Sequence, residues 1–308
     1  MPELSVSLGR LKLANPVVVA SGTFGYGEDY KDLVPLKKLG AIVTKTITLK
    51  ARSGNPPPRI AETYQGMLNA IGLENPGLEA FICEKLPYLK KIGIPIVVSI
   101  AGDTPAKFAE LAGALSKLKR NIGALELNAS CPNLGKKGLI AQDARAIYQV
   151  VKAVKRATKL TVITKLSPNV TDIAGIAKAA EAAGSDALSL VNTFFGMAVD
   201  VKTKRPKLGN ITGGLSGPAI KPQALWMVRQ VFQAVKIPLI GMGGIMDTQD
   251  ALEFIICGAS AVACGTANFV NPRATVEIIE GIKKYLKENR IGSIKKLVGS
   301  IALGKCLN

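Results

Sequence analysis

The chain has 308 residues, 48% of them hydrophobic and 20% charged, enough for a core that withdraws about three quarters of the unfolded surface from water. No apolar run approaches the roughly 20 residues of a membrane span, and Met1 to Arg10 lacks the charged-then-apolar layout of a secretory signal; a single cytoplasmic domain over residues 1–308 is expected. The net charge of +18 comes from lysines spread over helical positions such as Lys37, Lys90, Lys152 and Lys283, with no Arg-rich arm, so it reads as a solvated basic face that attracts small anions rather than as a nucleic-acid surface.

Leu4 to Leu13, with a Gly9-Arg10 turn, predicts a short hairpin ahead of the main fold. Eight short apolar runs follow: Pro16 to Ser21, Ala41 to Ile47, Pro95 to Ala101, Ala124 to Ser130, Thr161 to Ser167, Ala187 to Thr193, Pro238 to Gly243 and Ala261 to Thr266. They are rich in Val and Ile and mostly lack polar alternation, as parallel strands covered on both faces do. Amphipathic helices are predicted at Thr104 to Leu118, Asp143 to Ala157, Asp172 to Ala183, Lys221 to Val235, Thr248 to Cys257 and Ala274 to Asn289. Asp103-Thr104-Pro105 and Thr171-Asp172 are N-terminal cap signals, while Gly184 and Gly258 follow the last apolar residue of their helices, as C-terminal caps do. Eight strands alternating with helices predict an α/β fold closed as a single (β/α)8 TIM barrel, with an open doubly wound sheet as the alternative. Two connections, Lys50 to Leu78 and Phe194 to Pro218, are too long for turns and are expected as loops over the carboxyl face of the barrel.

Chemistry is expected at the strands' carboxyl ends. Histidine is absent, which excludes histidine triads, histidine metal sites and a histidine base, so proton transfer falls to Cys, Lys, Tyr or a carboxylate. The five cysteines are scattered without any C-x-x-C pair, so neither a disulfide framework nor a metal site is expected. Of these, Cys131 sits just past a strand in Asn128-Ala129-Ser130-Cys131-Pro132-Asn133, a loop crowded with polar groups. Lys45 and Lys165 lie on strands with buried neighbours, where an ammonium needs a bound anion, an electron-rich cofactor, an escape to solvent or a partner such as Glu126. Gly243-Gly244 after the seventh strand and Gly265-Thr266 after the eighth match the places where many barrels cradle a phosphate.

Over nearly its whole length the sequence resembles the class 1 dihydroorotate dehydrogenases, most closely the catalytic subunit of the class 1B type. The resemblance is carried by Ala20-Ser21-Gly22, Thr44-Lys45-Thr46, Asn69 to Gly77, Asn128 to Asn133, Lys165-Leu166-Ser167-Pro168, Asn192-Thr193, Gly213 to Gly217 and Gly241 to Gly244. It implies FMN-dependent oxidation of (S)-dihydroorotate to orotate in pyrimidine synthesis, with Cys131 as the base that takes the C5 proton and hydride passing from C6 to N5 of the flavin. It places Ser21, Lys45, Thr46, Ser99, Asn128, Lys165 and Val191 around the flavin ring and ribityl chain, and Gly217, Gly243, Gly244, Gly265 and Thr266 at its phosphate. Lys45, Asn69, Ala70, Ile71, Gly72, Leu73, Asn128, Asn192 and Thr193 are implied as substrate contacts.

For the class 1B type the resemblance also implies a second subunit carrying FAD and a [2Fe-2S] cluster that hands electrons to NAD. The assembly would be a heterotetramer of two catalytic and two electron-transfer chains around a homodimer core. The alternatives are a fumarate-linked class 1A enzyme, a barrel lyase using Lys45 or Lys165 as a Schiff base, and a basic nucleic-acid-binding barrel.

Overall fold

The structure, a computed structural model, describes residues 2–118, 122–129 and 139–302. Strands β1 (Val6–Leu8) and β2 (Leu11–Leu13) form the expected antiparallel hairpin, turning at Gly9 with φ of 58°. Its alternate residues Val6, Leu8, Leu11 and Leu13 are buried, and Leu11 and Gly9 approach Gly123 and Asp186, so the hairpin plugs the amino-terminal end of the barrel.

The chain then runs through β3 (Val17–Val19), β4 (Ala41–Val43), β5 (Ile60–Thr63) and β6 (Gly66–Asn69) to a helical stretch. That stretch is α1 (Gly77–Ala80), a π-helical turn at Phe81–Lys85 and α2 (Leu86–Ile92). Next come β7 (Ile96–Ile100), α3 (Pro105–Ser116), β8 (Ala124–Asn128), α4 (Ala144–Ala157), β9 (Thr161–Lys165), α5 (Ile173–Ala182) and β10 (Ala187–Leu190). Four short strands, β11 (Phe194–Met197), β12 (Val199–Asp200), β13 (Arg205–Pro206) and β14 (Thr212–Ser216), precede α6 (Lys221–Ala234) and β15 (Leu239–Met242). The described chain closes with α7 (Thr248–Cys257), β16 (Ala261–Cys264), α8 (Ala267–Val270) and α9 (Ala274–Glu288).

Strands β3, β4, β7, β8, β9, β10, β15 and β16 pair in parallel in that order, and β16 pairs back onto β3, closing the barrel. All eight fall inside the apolar runs predicted for them, because strands wedged between bore and helices bury both faces. The helices α3, α4, α5, α6, α7 and α9 likewise match the six predicted. Thr104 and Asp172 accept hydrogen bonds from Lys107 N and Gly175 N, as their capping role requires. Among the described residues no helix is long and apolar enough to cross a membrane.

Two features correct the expected layout. The crossover from β3 to β4 carries two 3-10 turns, Glu28–Tyr30 and Leu36–Lys38, instead of an α-helix. Gly22, Gly25 and Gly27 all adopt positive φ there and Pro35 follows, so no helical run can start; the stacked rings of Phe24 and Tyr30, 3.9 Å apart, hold the segment instead. The two long connections are also not irregular loops. Four of their strands join in one antiparallel sheet of order β11-β14-β6-β5, while β12 and β13 pair as a separate hairpin; beside the larger sheet lies a small apolar cluster of Leu68, Ala70 and Leu208.

Candidate active site

A cavity of about 520 Å³ opens at the carboxyl ends of the barrel strands, roofed by the β11-β14-β6-β5 sheet. One wall is a run of short polar side chains, each from a different strand end. Ser21 Oγ donates to Thr44 O at 2.8 Å and lies 3.2 Å from Thr46 Oγ1. Thr46 Oγ1 is 2.9 Å from Ser99 Oγ and accepts from Asn128 Nδ2 at 3.1 Å. Asn192 Nδ2 in turn donates to Asn128 Oδ1 at 3.5 Å. Each hydroxyl and amide is therefore oriented by its neighbour before any ligand arrives.

The two lysines have acidic partners. Lys45 Nζ is 3.5 Å from Glu74 Oε2, which also meets Arg59 at 3.1 Å. The hydrogen bond from Arg59, then the charge of Lys45, hold the Glu74 carboxyl below its ordinary value. Lys165 Nζ lies 4.0 Å from Glu126 Oε1, and both side chains are buried. Of the four explanations the sequence offers for Lys165, the structure replaces escape to solvent by pairing with Glu126 and leaves room for an anion or cofactor above it.

At the roof, Asn69 pairs across the sheet with Ile60 and Gly214, and its Nδ2 donates to Gly214 O at 3.3 Å. Ala70, Ile71, Gly72 and Leu73 continue along the cavity wall. Thr193 N donates to Asn192 Oδ1 at 2.8 Å, which fixes the amide's aim. At the far end Gly217, Gly243, Gly244 and Gly265 present bare backbone, beside a 2.8 Å hydrogen bond from Thr266 Oγ1 to Ser216 Oγ. Gly217, Gly243 and Gly244 have φ of 101°, 122° and 83°. A Cβ on Gly244 would come within 2.9 Å of Gly217 O, so this turn requires glycine. Lys221 anchors it from behind through Asp250 and Glu253, while Asp250 Oδ2 accepts from Met246 N at 2.8 Å.

The structure thus brings all but two of the predicted site residues to one cavity, Val191 included. Ser99 is fully buried behind Thr46 and reaches the cavity only through that hydroxyl. Cys131 lies outside the described residues. Among the described cysteines none lines the cavity, and Cys264, pushed to about 12 by burial, is inert.

Sequence reasoning assigned no role to Glu74, Asn169 or Phe269, which also line the cavity. Asn169 ties two crossovers together: its Nδ2 donates to Thr193 O and its Oδ1 accepts from Phe195 N, both at 2.9 Å. An Asn one residue after Pro168 looks like any turn residue, so nothing in the sequence separated it.

These features define a (β/α)8 barrel that seats its ligand at the carboxyl ends of the strands, with a glycine cradle after β15 and β16. The chain belongs to the dihydroorotate dehydrogenase family: the family model of that description matches residues 3–286. It is 54% identical, over 97% of its length and 99% of the relative, to the dihydroorotate dehydrogenase B (NAD(+)) catalytic subunit of Pelobacter propionicus. The corresponding subunits of Trichlorobacter lovleyi and Desulforamulus reducens are also 54% identical, covering 97% and 98% of this chain and 99% of each relative. An FMN fits the residues present: a glycine cradle without Cβ atoms for the phosphate, hydroxyls and amides along one wall, and a buried ammonium at the floor.

Proposed function

We propose that this chain is the FMN-bearing catalytic subunit of an NAD-linked dihydroorotate dehydrogenase, oxidising (S)-dihydroorotate to orotate in pyrimidine synthesis. The observation that carries the reading is the convergence of Lys45, Lys165, Asn69, Asn128 and Asn192 on one cavity that ends in the glycine cradle. A flat anionic heterocycle with ring amides needs such a set of directed donors and acceptors.

Gly217, Gly243, Gly244, Gly265 and Thr266 hold the phosphate, while Ser21, Lys45, Thr46, Asn128, Lys165 and Val191 line the ring and ribityl chain, with Ser99 supporting them through Thr46. Bound FMN supplies the two-electron acceptor for the hydrogen that leaves C6 of the substrate. Asn69, Asn128 and Asn192, with Thr193 and the Ala70 to Leu73 segment, orient the substrate and exclude water. Cys131, the base that the family resemblance implies, takes the proton from C5. Lys165 stabilises the negative charge that arrives with the electrons.

Electrons leave through a separate subunit carrying FAD and a [2Fe-2S] cluster, in a cytoplasmic heterotetramer built on a catalytic homodimer. The purified chain is expected to show a flavin spectrum that bleaches on anaerobic addition of dihydroorotate. Lys165→Ala should slow the bleaching or weaken FMN binding. A colourless protein that takes up no FMN would overturn the reading. Co-purification of an iron–sulfur partner from the native host separates the NAD-linked enzyme from a lone dimer reoxidised by fumarate.

A further inference from the structure

Glu126 sits in the bore of the barrel, one layer below the cavity, and no step above uses it. It is 1% exposed and stands two residues before Asn128 on β8, so both side chains face the same way. The strand register sets Asn128 opposite Lys165 and Lys165 opposite Ser189, which gathers the cluster on three adjacent strands. Glu126 Oε2 accepts from Ser189 Oγ at 2.9 Å, whereas Oε1 makes no hydrogen bond among the described residues and lies 4.0 Å from Lys165 Nζ.

A carboxylate withdrawn this far from water needs more than one neutral hydrogen bond, and Lys165 supplies the compensating charge. At 4.0 Å, however, the pair is beyond hydrogen-bonding distance. The ammonium's protons are therefore not consumed by Glu126 and remain free to meet a ligand in the cavity. Simple structural glue does not require this arrangement, because well-packed apolar residues in the same space are commonly as stabilising as a buried ion pair.

We propose that Glu126 is a positioning residue that holds Lys165 at the cavity floor as half of a neutral buried pair and thereby lowers the reduction potential of the flavin. The inference rests on the FMN reading above. A lone buried ammonium would favour the negatively charged reduced flavin strongly, since low dielectric magnifies its field. Glu126 cancels part of that field. The pair still offers its positive end to the cavity, but electrons are held loosely enough to pass on.

The test is the two-electron midpoint potential of FMN in the holoenzyme, measured against reference dyes for wild type and Glu126→Gln, alongside FMN affinity and urea stability. The near-isosteric amide removes the charge and keeps an oxygen for Ser189. The ratio of affinities for reduced over oxidised FMN should rise about tenfold, a potential increase of about 30 mV for a two-electron couple. In a Lys165→Met background the same Glu126 substitution should have almost no effect. Glu126→Met, which removes the charge with a side chain of similar length, should give a rise in the same direction, and it decides the matter if Glu126→Gln does not fold. Flavin-loaded variants with unchanged or lowered potential would overturn the proposal. A wild type that binds no flavin would instead overturn the assignment of the site, and the two failures are told apart by the absorption spectrum.

Discussion

Two cradle glycines that look alike in the sequence should fail in different ways. Gly244 has φ of 83°, and a Cβ there would stand 2.8 Å from Lys221 Cβ, 2.9 Å from Gly217 O and 3.1 Å from Lys221 Cα. The left-handed backbone alone costs an L-residue roughly 1–2 kcal/mol. Two of the three opposing atoms are backbone, so relief requires moving the start of α6 or the Gly217 turn, an overpacking cost of roughly 1–3 kcal/mol. Gly244→Ala should therefore lose about 2–5 kcal/mol of folding stability even without flavin. At Gly265 an added Cβ meets only Ala20 Cβ at 3.6 Å and Thr23 Cγ2 at 3.9 Å, ordinary contacts with residues that line the cavity. Gly265→Ala should change apo stability by less than about 1 kcal/mol while weakening FMN binding, because the new methyl occupies ligand space rather than protein space. Urea denaturation of both variants with and without added FMN measures each quantity. Equal stability losses at the two positions, or a loss below about 0.5 kcal/mol at Gly244, would refute the assignment of steric roles.

Cys131→Ala should keep FMN bound and slow flavin reduction by dihydroorotate about 10²-fold or more in stopped-flow traces, the usual worth of a positioned base; near-normal reduction would remove Cys131 from that role. Cys131→Ser should retain some activity, shifted to higher pH because a hydroxyl is a far weaker acid than a thiol. Glu74 has its folded-state pKa lowered by Arg59 and Lys45, so its contribution is present above the ordinary carboxylate value and is lost as pH falls through the lowered one. Hydrogen-exchange protection around Arg59, corrected for intrinsic rates, should drop in acid in wild type and show no such step in Glu74→Gln. Phe254 is fully buried beneath Gly241; Phe254→Ala should cost about 3–5 kcal/mol by urea denaturation, and a cost under 1 kcal/mol would deny it a core role.

The barrel was legible because its strands leave no choice of face: Val17-Val18-Val19 and Ile96-Val97-Val98 are apolar throughout, and the helices between them repeat at helical spacing. The helical stretch at residues 77–92 escaped because it starts at a positive-φ glycine, passes through a π-helical turn and carries Pro87 just after it. The roof sheet escaped for a related reason. β14 reads Thr-Gly-Gly-Leu-Ser, with little strand propensity of its own, and is held by pairing to partners more than 140 residues away for β6. Strand ends and glycine turns singled out Lys45, Lys165, Cys131 and the Gly243-Gly244 and Gly265-Thr266 turns, whereas Asn69 to Leu73 and Gly217 followed only from the family resemblance. The pairing of Lys165 with Glu126 is one of several options in the sequence, because a barrel prediction makes their strands neighbours without giving the register that sets Asn128 opposite Lys165.

The union of the two long connections in one sheet restricts how this enzyme can be altered. Leu215 pairs with Leu68 on one side and with Phe194 on the other, so the segment that carries Asn69 and the segment that leads to the Gly217 turn share backbone hydrogen bonds. Exchanging either connection alone with that of a relative would break a register set by the other. Grafts and insertions at the mouth should then succeed only when both are exchanged together, as a single heritable module.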